Sequence, residues 1–240
     1  MSAAPLLVVL LGAAVALAAC DSTQEKSEKL QKSGSKAFSA KGLRITEVSK
    51  DVKVRGKALF NDQNGTAVAV RLENTSDKTL HNVPIAVNVT NPKGKSVYKN
   101  DFPGLDPALV SISILRPGEK VTWVNDQVLA TGKPAKVKVK VGAAGQASGA
   151  LPRVDITPPK FQGDPVSGLS VVGKAHNRSD VLQRQLTLYA VALKGDRIVA
   201  AGRGGIERLR PGRRAGYQIF FIGNPKDAKV ELAAPPTTLQ

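Results

Sequence analysis

The chain has 240 residues and a formal charge of +16, with one cysteine, two histidines and only ten aromatic side chains. A single cysteine excludes a disulfide-stapled scaffold, and so few aromatics exclude an array of stacking platforms for single-stranded nucleic acid. The charge is not a tail: residues 21–42 hold five basic and three acidic groups, 43–145 sixteen and nine, 146–240 fourteen and seven. A surface this uniformly cationic is drawn to anionic headgroups and anionic polymers.

The first element is Leu6 to Ala19 (LLVVLLGAAVALAA), an uncharged run that ends in small residues. At this length it falls short of the roughly 20 apolar residues a bilayer span needs, and it has the form of a signal-peptide h-region. The preceding MSAAP has no Lys or Arg. Leu17-Ala18-Ala19-Cys20 resembles the lipobox of bacterial lipoproteins. The resemblance implies that Cys20 is acylated and becomes the first residue of the mature chain, with residues 1–19 removed. Each buried methylene contributes about 0.8 kcal/mol, and two or more chains make a stable anchor. Acylation would also consume the one free thiol.

Residues 20–42 read as a lipidated N-terminus and a flexible tether rich in Ser and Lys, with an end-to-end distance of roughly 25 Å. Beyond it the pattern is that of strands. AVAVRLE (67–73), VPIAVNVT (83–90), KVTWV (120–124) and KVKVKV (136–141) alternate with period two, which predicts sheets with one buried and one wet face. Asn64-Gly65 predicts a tight hairpin turn of primed type. Pro92-Lys93-Gly94 and Pro117-Gly118 predict further turns. No stretch after residue 42 has a helical period.

The second half repeats the landmarks of the first in order. Asn74-Thr75-Ser76-Asp77 corresponds to Asn177-Arg178-Ser179-Asp180, Lys93-Gly94 to Lys194-Gly195, and Leu115-Arg116-Pro117-Gly118 to Leu209-Arg210-Pro211-Gly212. Trp123 and Tyr217 follow the two Pro-Gly turns, and Ala135-Lys136-Val137 corresponds to Ala228-Lys229-Val230. Two copies of one all-β unit explain the repeat. The expected architecture is a pair of tandem immunoglobulin-like β-sandwich domains, 43–145 and 146–240. Between them lies GAAGQASGAL (142–151), which reads as a flexible join. The order of motifs resembles the FxLYD domains of bacterial envelope proteins, with Leu186-Thr187-Leu188-Tyr189-Ala190 at the position of the family's signature. Leu186 and Ala190 depart from the signature, and Val83 to Val87 stands further from it. The resemblance implies a β-sandwich and an envelope location, and it brings no active site with it.

Chemistry-bearing constellations are scarce. His81 and His176 stand apart in sequence, each beside an Asn. No grouping has the ligand spacing of a zinc site. Ser33-x-x-Lys36 matches a Ser-Lys nucleophile pattern but lies in the tether. Gly202-x-Gly204-Gly205 precedes a strand-like IERL rather than the helix that a phosphate loop needs. Asn64, Asn74, Asn88 and Asn177 begin Asn-x-Ser/Thr sequons that read as turn chemistry. Two cationic features remain as candidate contacts with an anionic partner. Lys136, Lys138 and Lys140 share one side of a strand, where lysine also deters edge aggregation. Arg203, Arg208, Arg210, Arg213 and Arg214 surround a Pro-Gly turn, and arginine binds phosphate and carboxylate in bidentate fashion. The expectation is a non-enzymatic protein without cofactor or metal, lipid-anchored through Cys20 on the extracytoplasmic side. It would bind or scaffold an envelope protein, an anionic polymer or headgroups, and not nucleic acid. The alternative is an envelope hydrolase or transport accessory with a site in the groove between the domains.

Overall fold

Val and Ile recur at every second position in several short stretches after residue 50, among them 83–89 and 137–141, and the polypeptide folds as antiparallel sheet. The computed structural model describes residues 42–164 and 168–237. From residue 41 onward the chain forms one compact unit. Strands β1 (Val52–Asp62), β2 (Gly65–Asn74) and β6 (Lys120–Asn125) make one sheet in the order β1-β2-β6. Strand β3 (Leu80–Thr90) is the centre of a second sheet. Along one edge it pairs with β4 (Ser96–Lys99) and then β5 (Ser111–Leu115), and along the other with β7 (Lys136–Val141) and then β8 (Gly145–Gln146). Two sheets hold the second half. One comprises β10 (Lys160–Asp164), β11 (Gly168–Asn177) and β14 (Arg214–Phe220), with β9 (Val154–Ile156) also on β11. The other runs β15 (Ile222–Gly223), β13 (Arg197–Leu209), β12 (Gln183–Lys194), β16 (Lys229–Ala233). The described residues contain no α-helix, only a 3-10 turn at Pro107–Leu109.

The repeat seen in the sequence is a repeat of pairing. The order β1-β2-β6 recurs as β10-β11-β14, and β3 flanked by β4, β5 and β7 recurs as β12 flanked by β13 and β16. The halves differ where β13 runs without a break and residues 100–110 loop out between β4 and β5. Asn100 closes the base of that loop: its carboxamide bonds Val87 N, Ile85 O and Leu109 O.

The repeated Asn-x-Ser motif and the repeated Leu-Arg-Pro-Gly turn hold each other. Asn74 is fully buried, and its Nδ2 donates to the carbonyls of Lys78, Leu115 and Arg116. Its Oδ1 accepts from both the backbone N–H and the hydroxyl of Ser76. Asn177 is also fully buried and repeats the pattern with Val181 O, Leu209 O and Ser179. The N–H of Gly118 donates to Asn74 O, and that of Gly212 to Asn177 O. Pro117-Gly118 and Pro211-Gly212 form type II turns, with φ of 67° and 66° at the glycines. These two sequons are therefore structural corners whose asparagines are closed to solvent.

Three local expectations change. The hairpin at residue 64 forms, but Gln63 and Asn64 are its central residues and the positive φ falls on Gly65, so the turn is not of primed type. The 142–151 join is bonded to the first half as far as Ala147, through β8, Ala143 N to Glu47 O and Ala147 N to Thr79 O. AVAVRLE does not have a wet face along its whole length. Val68, Val70 and Leu72 point into the first half, yet Ala67 and Ala69 on the other face are also fully buried. What covers them comes from the second half. Tyr189, Val191, Leu193 and Ala201 join the same apolar cluster as Ala69 and Val124. The alternate residues of β12, Leu186, Leu188, Ala190 and Ala192, fill a second cluster with Val171, Ile206 and Ile219. A strand buried on both faces reads as a nearly continuous apolar run, and LTLYAVAL is one.

Replacing Asn177 by Ala should leave two backbone carbonyls without their donor. The expected loss is about 2–3 kcal/mol of unfolding free energy in urea. A change within 0.5 kcal/mol would show that the corner does not hold the turn.

Candidate functional site

The contact between the halves is the best-defined polar structure in the molecule. It is built where the 100–110 loop meets β13. Arg203 on β13 has a side chain only 9% exposed. Its guanidinium lies between Asp106 of the loop, at 2.9 Å, and Asp126 just past β6, at 3.2 Å. The backbone N–H of Arg203 also donates to Asp126. Beside this pair, the carbonyl of Ala108 accepts from Trp123 Nε1 at 2.8 Å and from the Tyr189 hydroxyl at 3.4 Å. Burial pushes the Tyr189 phenol far above its ordinary range, so it keeps its proton. Farther along, Asp62 at the tip of the β1–β2 hairpin accepts from Gly223 N at 2.7 Å.

Arg203 was expected among the free cations of the arginine-rich turn. Its guanidinium is instead committed within the protein, because period two on β13 sends it toward the first half while its neighbours line other faces. The nearby glycines have a packing role. A Cβ on Gly202 would meet the backbone carbonyl of Phe220, and one on Gly204 would lie 2.8 Å from Ile219. They let β13 cross close over β14, and no phosphate loop is formed.

Arg208, Arg210 and Arg213 are exposed and form no salt bridge among the described residues. Arg214 is exposed and donates to His176 Nδ1 at 3.3 Å. Arg178 and Arg153 flank this end of the molecule, joined by Asp155 at 2.9 and 2.8 Å. Hydrogen bonds from the two guanidinium groups hold the Asp155 carboxyl below its usual range. Arg116, the first-half counterpart of Arg210, reaches Pro152 O at 3.3 Å. A rim of arginines thus spans β9, the corner after β11 and the turn between β13 and β14. Asn177 holds its central turn, and Asp155 bridges its two flanking arginines.

Lys136, Lys138 and Lys140 stand exposed along β7, which pairs with β3 and at its end accepts from Ser49 N. Lys138 lies opposite Asn88 and Lys140 opposite Ala86. They form a cationic strip separate from the arginine rim, since the two features belong to different sheets. The described residues contain no group of three His, Cys, Asp or Glu able to hold a metal. His81 lies on β3, against Gly145 of β8, and His176 on β11, so the two histidines belong to different sheets. Cys20 lies outside the described residues. No helix among the described residues is long and apolar enough to cross a membrane.

Asp106 and Asp126 were not singled out from the sequence. Their one signal is that each is an isolated acid in an apolar or turn-rich stretch of a strongly basic chain. Replacing Arg203 by Ala would leave Asp126, which is 21% exposed at its side chain, facing the junction without its cation. The expected cost is about 2 kcal/mol in denaturant unfolding, with a red shift of Trp123 fluorescence as the junction loosens. An unchanged midpoint and an unchanged spectrum would contradict the role given to this pair.

No protein-family model matches the chain, and no curated protein matches it.

Proposed function

We propose that the protein is a lipid-anchored component of a bacterial cell envelope that binds or spaces, without catalysing a reaction. Its partner is an anionic polymer, anionic headgroups or an envelope protein with an acidic surface. The observation that carries this reading is the arginine rim: Arg208, Arg210 and Arg213 are exposed, unpaired with any described carboxylate and set at the end of β13 and on the turn that follows it, which a buried asparagine fixes. A backbone already fixed at the turn leaves only the side chains to be ordered when these cations meet phosphate or carboxylate. The strip Lys136, Lys138 and Lys140 adds a second contact, at about 1 kcal/mol per charge near an anionic surface. The lipobox resemblance around Cys20 supports anchoring. The motif order shared with FxLYD domains supports tandem immunoglobulin-like domains and an envelope setting.

Cells grown with labelled palmitate should tag the wild-type chain and not the Cys20→Ser variant. In the same cells, changing Arg208, Arg210, Arg213 and Arg214 together to Ser should leave labelling intact. Retention of the solubilised protein on anionic vesicles or wall fragments at low salt should fall at least tenfold, since each lost contact is worth roughly 1 kcal/mol. An unlabelled, freely secreted product would remove the anchor. Unchanged retention would remove the rim as the binding surface.

A further inference from the structure

We infer that the groove between β5 and the start of β12 is a binding site for a polyhydroxylated ligand, a saccharide. This inference goes beyond the anionic-partner reading and does not depend on it.

Two residues point there first. Asn82 and Gln185 have φ of 50° and 48°, in the left-handed region that residues other than glycine seldom enter. They hold equivalent places in the repeat. Asn82 lies between the pairs His81–Ile114 and Val83–Ile112, and Gln185 between Arg184–Arg208 and Leu186–Ile206. The residues beside them differ between the halves: His81 against Arg184, Pro84 against Thr187. Both halves nevertheless place a carboxamide at the strained position, where glycine would be the relaxed choice. Strain of this kind collects at ligand clamps. The packing of the halves then brings both carboxamides to the wall of a single groove of about 330 Å³, at the lower end of the size range of ligand pockets. Neither side-chain amide bonds to a described residue.

The rest of the wall defines what would fit. The hydroxyl of Ser111 donates to Pro107 O at 2.9 Å, that of Thr237 to Arg184 O at 2.6 Å, and that of Tyr189 to Ala108 O at 3.4 Å. Each has spent its proton inside the protein, so each offers the groove lone pairs only. The Asp106 carboxylate adds acceptors. The two carboxamides supply N–H donors together with further acceptors, and the Arg184 guanidinium, which also lines the groove, carries N–H donors alone. A ligand that satisfies this wall must both donate and accept at several closely spaced points. A ring of hydroxyl groups does both, whereas a phosphate or sulfate, which only accepts, finds donors at the carboxamides and Arg184 but leaves the hydroxyl and carboxylate acceptors unmatched. The ring of Tyr189 is buried beneath the groove and gives no stacking platform. Recognition then rests on polar contacts, with a dissociation constant on the order of millimolar.

The test titrates the full chain with two neutral trisaccharides, chitotriose and maltotriose, and follows amide chemical shifts. At least one should bind, shifting Ser111 and Gln185. Gln185→Gly and Asn82→Gly should each weaken that binding about tenfold while the unfolding midpoint holds or rises, because glycine takes the same φ without strain. Ser111→Ala, which leaves the strands untouched, should weaken it several-fold and serves if either glycine variant fails to fold. Absence of any shift up to about 20 mM of both sugars, on the millimolar scale expected above, would overturn the site. So would binding that all the folded variants retain at full strength. Retention on anionic vesicles should be the same in these variants as in wild type, so failure here is distinct from failure of the arginine rim.

Discussion

Strand β12 is buried on both faces, Leu188 and Ala190 facing one apolar cluster while Tyr189 and Val191 face the other, and that double burial decides how the rest of the chain is arranged. A single sandwich needs only one buried face on each sheet. Here the outer face of β2 and β6 meets the outer face of β12 and β13, so the sheets stack in succession and the first-half cluster continues into the second half. Ala67 and Ala69 make the close approach possible, because a larger side chain there would hold the sheets apart. Tyr189, Val191 and Leu193 each contribute about 2 kcal/mol by leaving water. Together they outweigh the ion pair of Arg203 with Asp106 and Asp126. The ion pair fixes register and angle at a junction that apolar burial holds closed.

Much of this was legible in the sequence, and what was not has a physical cause. Period two marked β2, β3, β6 and β7, and the Asn-x-Ser and Pro-Gly landmarks marked both corners. Strand alternation is a local property, so it reports which residues share a face but not what covers the second face. Alanine on the nominally wet side of β2, and the unbroken apolar run of β12, were the available signals of a second layer. Arg203 was grouped with its sequence neighbours because charge is visible in a sequence and pairing over 77 or 97 residues is not. The left-handed backbone at Asn82 and Gln185 leaves no mark in composition. Only the repeat, aligned by its strand pairing, shows that both copies carry a carboxamide there.

The geometry separates two kinds of surface. The arginine rim is built on a buried carboxamide corner, presents Arg208, Arg210 and Arg213 without a salt bridge among the described residues and is suited to weak, salt-sensitive contact with an extended anion. The groove beside β12 is uncharged apart from Asp106 and Arg184, is lined by both acceptors and N–H donors and is suited to hydroxyl groups.

Continuity of the apolar core across the two halves is the claim on which the junction, the groove and the rigid display of the rim all rest. Scanning calorimetry of the full chain tests it directly. A shared core predicts one heat-absorption peak, with van't Hoff and calorimetric enthalpies that agree. Two resolved transitions, each with the enthalpy of about one hundred residues, would mean that the halves fold independently and would contradict the account.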